Sequence, residues 1–247
     1  MLISALKSVF RRPKRAADRA FVFCTAYFSD AARYRRWIDY YLPRMGKLGV
    51  GHLILIDDGS PTLPDWPDLE IIRADDPLPD LLPPGVYLFT FRAHLGRSSI
   101  SRYPGWWRSF LFSWKIADTY GFARIVHLES DCYALSEAMF RFIRETRSGW
   151  TAPWCRAYGF AETGFQIIGA DALEELGKFY RLGEGFYAHH DRYAELTLPF
   201  THLEKSFAGD RFGENVVRER WGGLPASPDY VANATAEFIQ PYLLAKR

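Results

Sequence analysis

Short apolar runs alternate with amphipathic stretches along most of this chain. Ala20 to Tyr27 (AFVFCTAY), His52 to Ile56 (HLILI) and Arg124 to Leu128 (RIVHL) are rich in aromatic and β-branched residues. Such runs are the pattern of strands buried on both faces. Between the first two, Ser29-Asp30 reads as a helix start, and Ala32 to Leu48 carries Tyr34, Trp37, Ile38, Tyr41, Leu42 and Met45 on one side before Gly49 and Gly51 stop it. Strand, helix and strand with short connections predict a βαβ unit with parallel strands and a right-handed crossover. Glu70 to Arg73, Tyr87 to Phe91, Trp150 to Cys155 and Phe165 to Ile168 are predicted as further strands. Helices are predicted from Pro104 to Tyr120, Leu135 to Thr146, Ala170 to Tyr180 and Gly213 to Arg220. The fold class is α/β: a Rossmann-type mixed, mainly parallel sheet flanked by helices in a single domain.

The polar residues that interrupt this pattern gather where strands end. Arg124 to Leu128 runs at once into Glu129-Ser130-Asp131, and His52 to Ile56 into Asp57-Asp58-Gly59-Ser60. Ligands of such sheets sit at the carboxyl ends of the strands. In an extended chain residues i and i+2 point the same way, so Glu129 and Asp131 face one ligand while Ser130 turns away. Two neighbouring carboxylates repel unless a cation lies between them, and a hard divalent ion carrying phosphate oxygens serves that purpose.

Composition narrows the picture. With 247 residues, 48% hydrophobic, the chain is long enough for one full core. The net charge of +2 is uneven: residues 1–19 carry +5, leaving −3 elsewhere, which disfavours a nucleic-acid binder. That segment places Leu2, Ile3, Leu6, Val9 and Phe10 among basic residues at near-helical spacing. It reads either as a basic amphipathic helix lying at an anionic membrane surface or as a solvated terminus. Three cysteines without a CxxC pair suggest reduced thiols, and the absence of a long apolar span suggests a cytoplasmic protein, peripheral to the membrane at most. The chain divides into residues 1–19, a ligand-binding half over 20–135, and a second half with the tail over 136–247.

Arg102 and Arg108 stand near the start of the helix that opens at Pro104, where positive charge and free N–H groups suit a diphosphate. Gly183 to Gly213 is dense in Gly, His, acids and aromatics, a composition common in active-site loops.

Four features together resemble the nucleotide-sugar-binding half of GT-A-type glycosyltransferases, particularly the bacterial surface-polysaccharide (family 2-like) group. They are the strand ending Cys24-Thr25-Ala26-Tyr27, the strand ending Ile56-Asp57-Asp58-Gly59-Ser60, the Arg- and Trp-containing helix, and the strand ending Glu129-Ser130-Asp131. The last triplet stands where that family carries Asp-x-Asp, here with Glu first. The resemblance implies a metal-dependent transfer of sugar from a nucleotide donor to a glycan or lipid-linked acceptor. It implies that Thr25 and Tyr27 line the base pocket, with Asp58 hydrogen-bonding the base or ribose; Asp57, Arg102 and Arg108 are counted beside them as nucleotide-binding candidates. Asp131 would ligate Mg²⁺ or Mn²⁺, with Glu129 assisting or contacting ribose. The resemblance fades after about residue 180. For a base on the acceptor side, Glu204 and Asp210 are the candidates, with Asp191 behind them, and His189, His190 or His202 could add a metal ligand. The alternatives are an inactive nucleotide- or glycan-binding scaffold and a sugar-phosphate nucleotidyltransferase. The latter usually carries a Gly-rich basic loop after the first strand, where this chain has Tyr27-Phe28-Ser29-Asp30.

Overall fold

A computed structural model describes residues 19–211 and 227–244. The predicted strands form as β1 (Ala20–Ala26), β2 (His52–Asp57), β3 (Glu70–Arg73), β4 (Gly85–Thr90) and β5 (Arg124–Leu128). Short β6 (Tyr133–Ala134) precedes β7 (Trp150–Cys155), β8 (Phe160–Ala161) and β9 (Phe165–Ile168), and β10 (His202–Glu204), β11 (Gly209–Asp210) and β12 (Tyr230–Val231) follow. The main sheet runs β10-β7-β9-β5-β1-β2-β4-β3, with β8 on β7. From β5 to β3 every neighbour is parallel. β9 is antiparallel to both β5 and β7, so the sheet is mixed and mainly parallel, as the apolar runs predict.

The alternation along the strands decides what covers each face. Phe21 and Phe23 of β1 and Ile54 and Ile56 of β2 pack into the cluster formed with α3 (Pro104–Tyr120) through Trp107, Phe110 and Ile116. Val22, Cys24, Leu53 and Leu55 point to the other face, against Trp37, Ile38 and Tyr41 of α1 (Ala31–Tyr41) and Met139, Phe140 and Ile143 of α4 (Glu137–Glu145). The helix expected over Ala32 to Leu48 is divided: Pro43 falls in a 3₁₀ turn, Leu42–Arg44, and a short α2 (Met45–Leu48) follows. Proline lacks the N–H that would continue the ladder. α5 (Leu173–Leu182), α6 (Glu184–Tyr187) and α7 (Ala236–Leu244) complete the helices.

The basic segment over residues 1–18 and the helix expected from Gly213 to Arg220 lie outside the described residues. Among the described residues no helix is long and apolar enough to cross a membrane. All three cysteines are buried and free.

Candidate functional site

After β1 the chain builds β2, β3 and β4 on one side and then returns to place β5 on the other. The crevice beyond the carboxyl ends of β1 and β5 is therefore the point where strand order reverses, the usual ligand position in an open α/β sheet. A cleft of about 860 Å³ lies there, with Thr25, Tyr27, Asp58, Glu129 and Asp131 in its walls.

The two acids after β5 are not on an extended strand. Residues 129–132 form a turn closed by the Cys132 N–H donating to Glu129 O at 2.8 Å, so the expected alternation does not apply. Both side chains still reach the cleft, but they lean against different elements. Glu129 Oε1 accepts from Thr25 Oγ1 at 2.7 Å, from the Trp106 indole N–H at 2.6 Å and from His127 Nε2 at 3.0 Å. Burial alone would raise this carboxyl; the His127 ring beside it and the hydrogen bonds from His127, Thr25 and Trp106 bring it below its ordinary value. Asp131 Oδ2 is held by Arg33 of α1 at 2.8 Å. Burial pushes Asp131 up to about 6, with Glu129 and Glu162 adding to the rise and Arg33 opposing it. About a quarter of that side chain (24%) faces the cleft, which softens the effect of burial.

Asp57 and Asp58 point to opposite faces. Asp57 is fully buried, and it accepts from Gly59 N, Ser60 N, Ser60 Oγ and Thr90 Oγ1. Its oxygens serve the turn, and it lies outside the cleft lining. Asp58 follows Ile54 and Ile56 onto the α3 face. It accepts from Arg108 Nη2 at 2.5 Å, Gly96 N at 2.8 Å and Leu95 N at 3.2 Å, with His94 Nδ1 2.9 Å from Oδ2. Gly105, in the first turn of α3, makes this approach possible: a Cβ there would stand 2.0 Å from Asp58 Oδ2. Tyr27 stacks on His94 with ring centroids 4.1 Å apart, forming an aromatic ledge at this end of the cleft.

Arg102 and Arg108 do not line the cleft. Arg102 donates to the Ala188 carbonyl, and Arg108 is committed to Asp58 and Ala93 O over the Phe91 ring. Arg33 and Arg97 are lining cations instead. Both stood in plain view in the sequence without a motif to mark them.

The acceptor-side expectations are displaced more strongly. Glu204 sits on edge strand β10, where it accepts from Ser206 N and lies near His202. Asp210 is buried, accepting from Cys155 Sγ, Ala157 N and Arg211 N. Neither lines the cleft, and neither do Asp191, His189, His190 or His202. Asp191 accepts from Ser101 Oγ; His190 packs on Trp107 and Phe186 and lies 3.0 Å from Thr197 Oγ1. The acids that do face this end are Glu162 and Glu195, joined through Arg211. Arg211 Nε reaches Glu162 Oε2 at 2.6 Å, and Nη2 reaches Glu195 Oε1 at 2.8 Å. Glu162 Oε1 also accepts from Gly164 N and Glu195 Oε1 from Thr163 Oγ1. Tyr158 and Phe160 stack beside them, with Arg211 over both rings. The signal available was Glu162-Thr163-Gly164 immediately before the Phe165 strand.

No family model matches the chain, and no curated protein matches its sequence. Among solved structures it aligns with a glycosyltransferase involved in the glycosylation of the major capsid of PBCV-1, at 10% identity and a TM-score of 0.46, over 88% of this chain and 95% of that one. It also aligns with GalNAc-T7, solved with UDP, GalNAc and Mn²⁺, at 12% identity and a TM-score of 0.41, over 72% of this chain and 39% of that one.

Proposed function

We propose that the chain is a glycosyltransferase that moves a sugar from a nucleotide donor to a glycan or lipid-linked acceptor. One observation carries this reading: Glu129 and Asp131 enter a single cleft at the strand-order reversal, between the Tyr27–His94 ledge and a second acidic cluster. The cleft volume is within the range of small-molecule sites, about 300–1,000 Å³.

Thr25, Tyr27 and Asp58 form the nucleoside end. Tyr27 and His94 offer ring faces to a base, and Asp58 holds the 94–96 segment beside it. Asp57 supports this turn from below.

The acids fit a divalent cation that arrives with its own phosphate oxygens. Mg²⁺ is commonly held by one or two carboxylates plus substrate oxygens, not by an all-protein cage. No group of three His, Cys, Asp or Glu side chains suited to a metal occurs among the described residues, which is consistent with that partial donor set. Asp131 and Glu129 would hold the Mg²⁺ or Mn²⁺, whose chemistry is to neutralise charge on the departing diphosphate. Arg33, already on Asp131, is placed to turn from the carboxylate to the phosphates.

At the far end Glu195 replaces Glu204 and Asp210 as the group to accept the acceptor hydroxyl proton. Both oxygens of Glu162 are taken by Arg211 and Gly164 N. Both hydrogen bonds that Glu195 accepts among the described residues fall on Oε1, which keeps Oε2 for the acceptor.

A thermal-shift screen against UDP, GDP, CMP and TDP, with and without Mn²⁺, tests the reading. A nucleotide at a hundred times its Kd stabilises by about 2.7 kcal/mol, so one that binds at millimolar concentration registers. Metal-dependent protection by one nucleotide is the expected result. Protection by none removes the transferase reading in favour of a glycan-binding scaffold.

A further inference from the structure

Behind Glu129 lies a set of buried polar groups whose hydrogen-bond directions are fixed by chemistry. Trp150, Gln166 and His127 are each fully buried on adjacent strands, and His127 and Gln166 are direct cross-strand partners. The Trp150 indole N–H can only donate, and it lies 2.8 Å from Gln166 Oε1. The Thr163 carbonyl can only accept, and it lies 2.6 Å from Gln166 Nε2. The amide therefore has one orientation, and its remaining N–H faces His127 Nδ1 at 3.3 Å. Nδ1 accepts, so in the neutral ring the proton sits on Nε2, which lies 3.0 Å from Glu129 Oε1. Phe23 stacks on the imidazole at 4.7 Å and Phe110 meets it at 5.1 Å, holding the plane of the ring.

With Thr25 and Trp106, His127 gives Oε1 of Glu129 three donors. Among the described residues none donates to Oε2. We infer that Gln166 and His127 are positioning residues that fix a single imidazole tautomer, saturate one oxygen of Glu129, and present the other to the bound ligand as a one-oxygen acceptor. The ligand named rests on the nucleotide-sugar reading above; the tautomer does not. A carboxylate so held meets a cation or a ribose hydroxyl through one oxygen and keeps its direction without cost at the moment of binding.

The test begins with nitrogen NMR of histidine-labelled protein, His127 being assigned by subtraction of a His127→Gln spectrum. The expected wild-type ring carries its proton on Nε2, with Nδ1 accepting from Gln166. Gln166→Met removes the donor to Nδ1, and Gln166→Glu replaces it with an acceptor and drives the proton to Nδ1; the pair guards against one variant failing to fold. Affinity for Mn²⁺–UDP is then titrated. Loss of a hydrogen-bond partner behind a metal-binding side chain commonly lowers affinity roughly 10- to 100-fold, and that loss is expected for both Gln166 variants and for His127→Leu. His127→Gln, whose amide N–H can still reach Glu129, is expected to retain most of the affinity. A wild-type ring protonated at Nδ1, or Gln166 variants that bind as wild type, overturns the inference. If the ring carries its proton on Nε2 while none of UDP, GDP, CMP or TDP binds, the relay stands and the nucleotide reading falls.

Discussion

The two ends of the cleft use the same residue types and hold them in different ways. At the end proposed for the nucleoside, Thr25, Asp58 and Glu129 stand at or just past the carboxyl ends of parallel strands, and their oxygens meet backbone N–H groups, an indole, a buried imidazole and, at Asp58, the Arg108 guanidinium. At the other end, Glu162, Glu195 and Arg211 come from a two-residue strand's edge, a 3₁₀ turn and a loop, and each is fixed mainly by another side chain. The first end is organised by the sheet. The second is organised by one arginine.

Five substitutions bear on this difference. Glu195→Gln keeps the bond to Arg211 but removes the base; kcat is expected to fall roughly 10²- to 10⁴-fold in a donor-transfer assay, with donor KM little changed. Glu204→Gln on the outer strand should turn over near the wild-type rate, and a collapse there would return the base to β10. Arg211→Ala leaves the buried Glu162 and the half-buried Glu195 without their cation. Breaking a buried pair costs about 3–5 kcal/mol, read by urea unfolding, and Mn²⁺–UDP affinity should shift with it, because the unpaired Glu162 acts on Asp131.

Gly105→Ala attacks the sheet-organised end, since its Cβ would stand 2.0 Å from Asp58 Oδ2. Overpacking of this kind costs about 1–3 kcal/mol, and here nucleotide affinity should fall with stability. Asp131→Asn is expected to stabilise the metal-free protein while abolishing metal-dependent nucleotide binding. The folded carboxyl titrates near 6 against 3.8 in the unfolded chain. Below the lower value both states hold the proton and no penalty exists; as pH rises through this window the unfolded chain releases its proton first and folding weakens; above 6 the penalty is complete. After allowance for partial exposure the gain from Asn is about 1–2 kcal/mol at pH 7.5 and vanishes near pH 4. Equal gains at both pH values would show that removing the carboxylate acts through packing.

The contrast between the ends also explains what the sequence could tell. The parallel strands announce themselves as apolar runs closed by Gly or acids, and the acids that line the cleft there follow within three residues. Even the choice between Asp57 and Asp58 was available, because Asp58 continues the Ile54, Ile56 face and Asp57 the Leu53, Leu55 face. The cluster around Arg211 leaves no such trace. Glu162 and Arg211 are separated by 49 positions, β8 has two residues, and nothing periodic marks Glu195 as different from Glu204. Composition pointed to the loop-rich segment that holds Glu195 and Arg211 but singled out neither. The turn after β5 misled in a different way: two acids one residue apart look like strand alternation, but the hydrogen bond from Cys132 N to Glu129 O curls the chain.

Trp106 lends the molecule a property of another kind. Its indole N–H donates to Glu129 and its ring lies parallel to Phe110 at 4.7 Å, with part of the side chain open to the cleft. A ligand that takes hold of Glu129 draws electron density from the oxygen this indole is bonded to. The excited state of the ring responds to such a change, so the chain carries an optical reporter in the wall of its own cleft. Subtracting the emission of Trp106→Phe should isolate that signal and allow occupancy of Glu129 to be followed in real time, with no label attached.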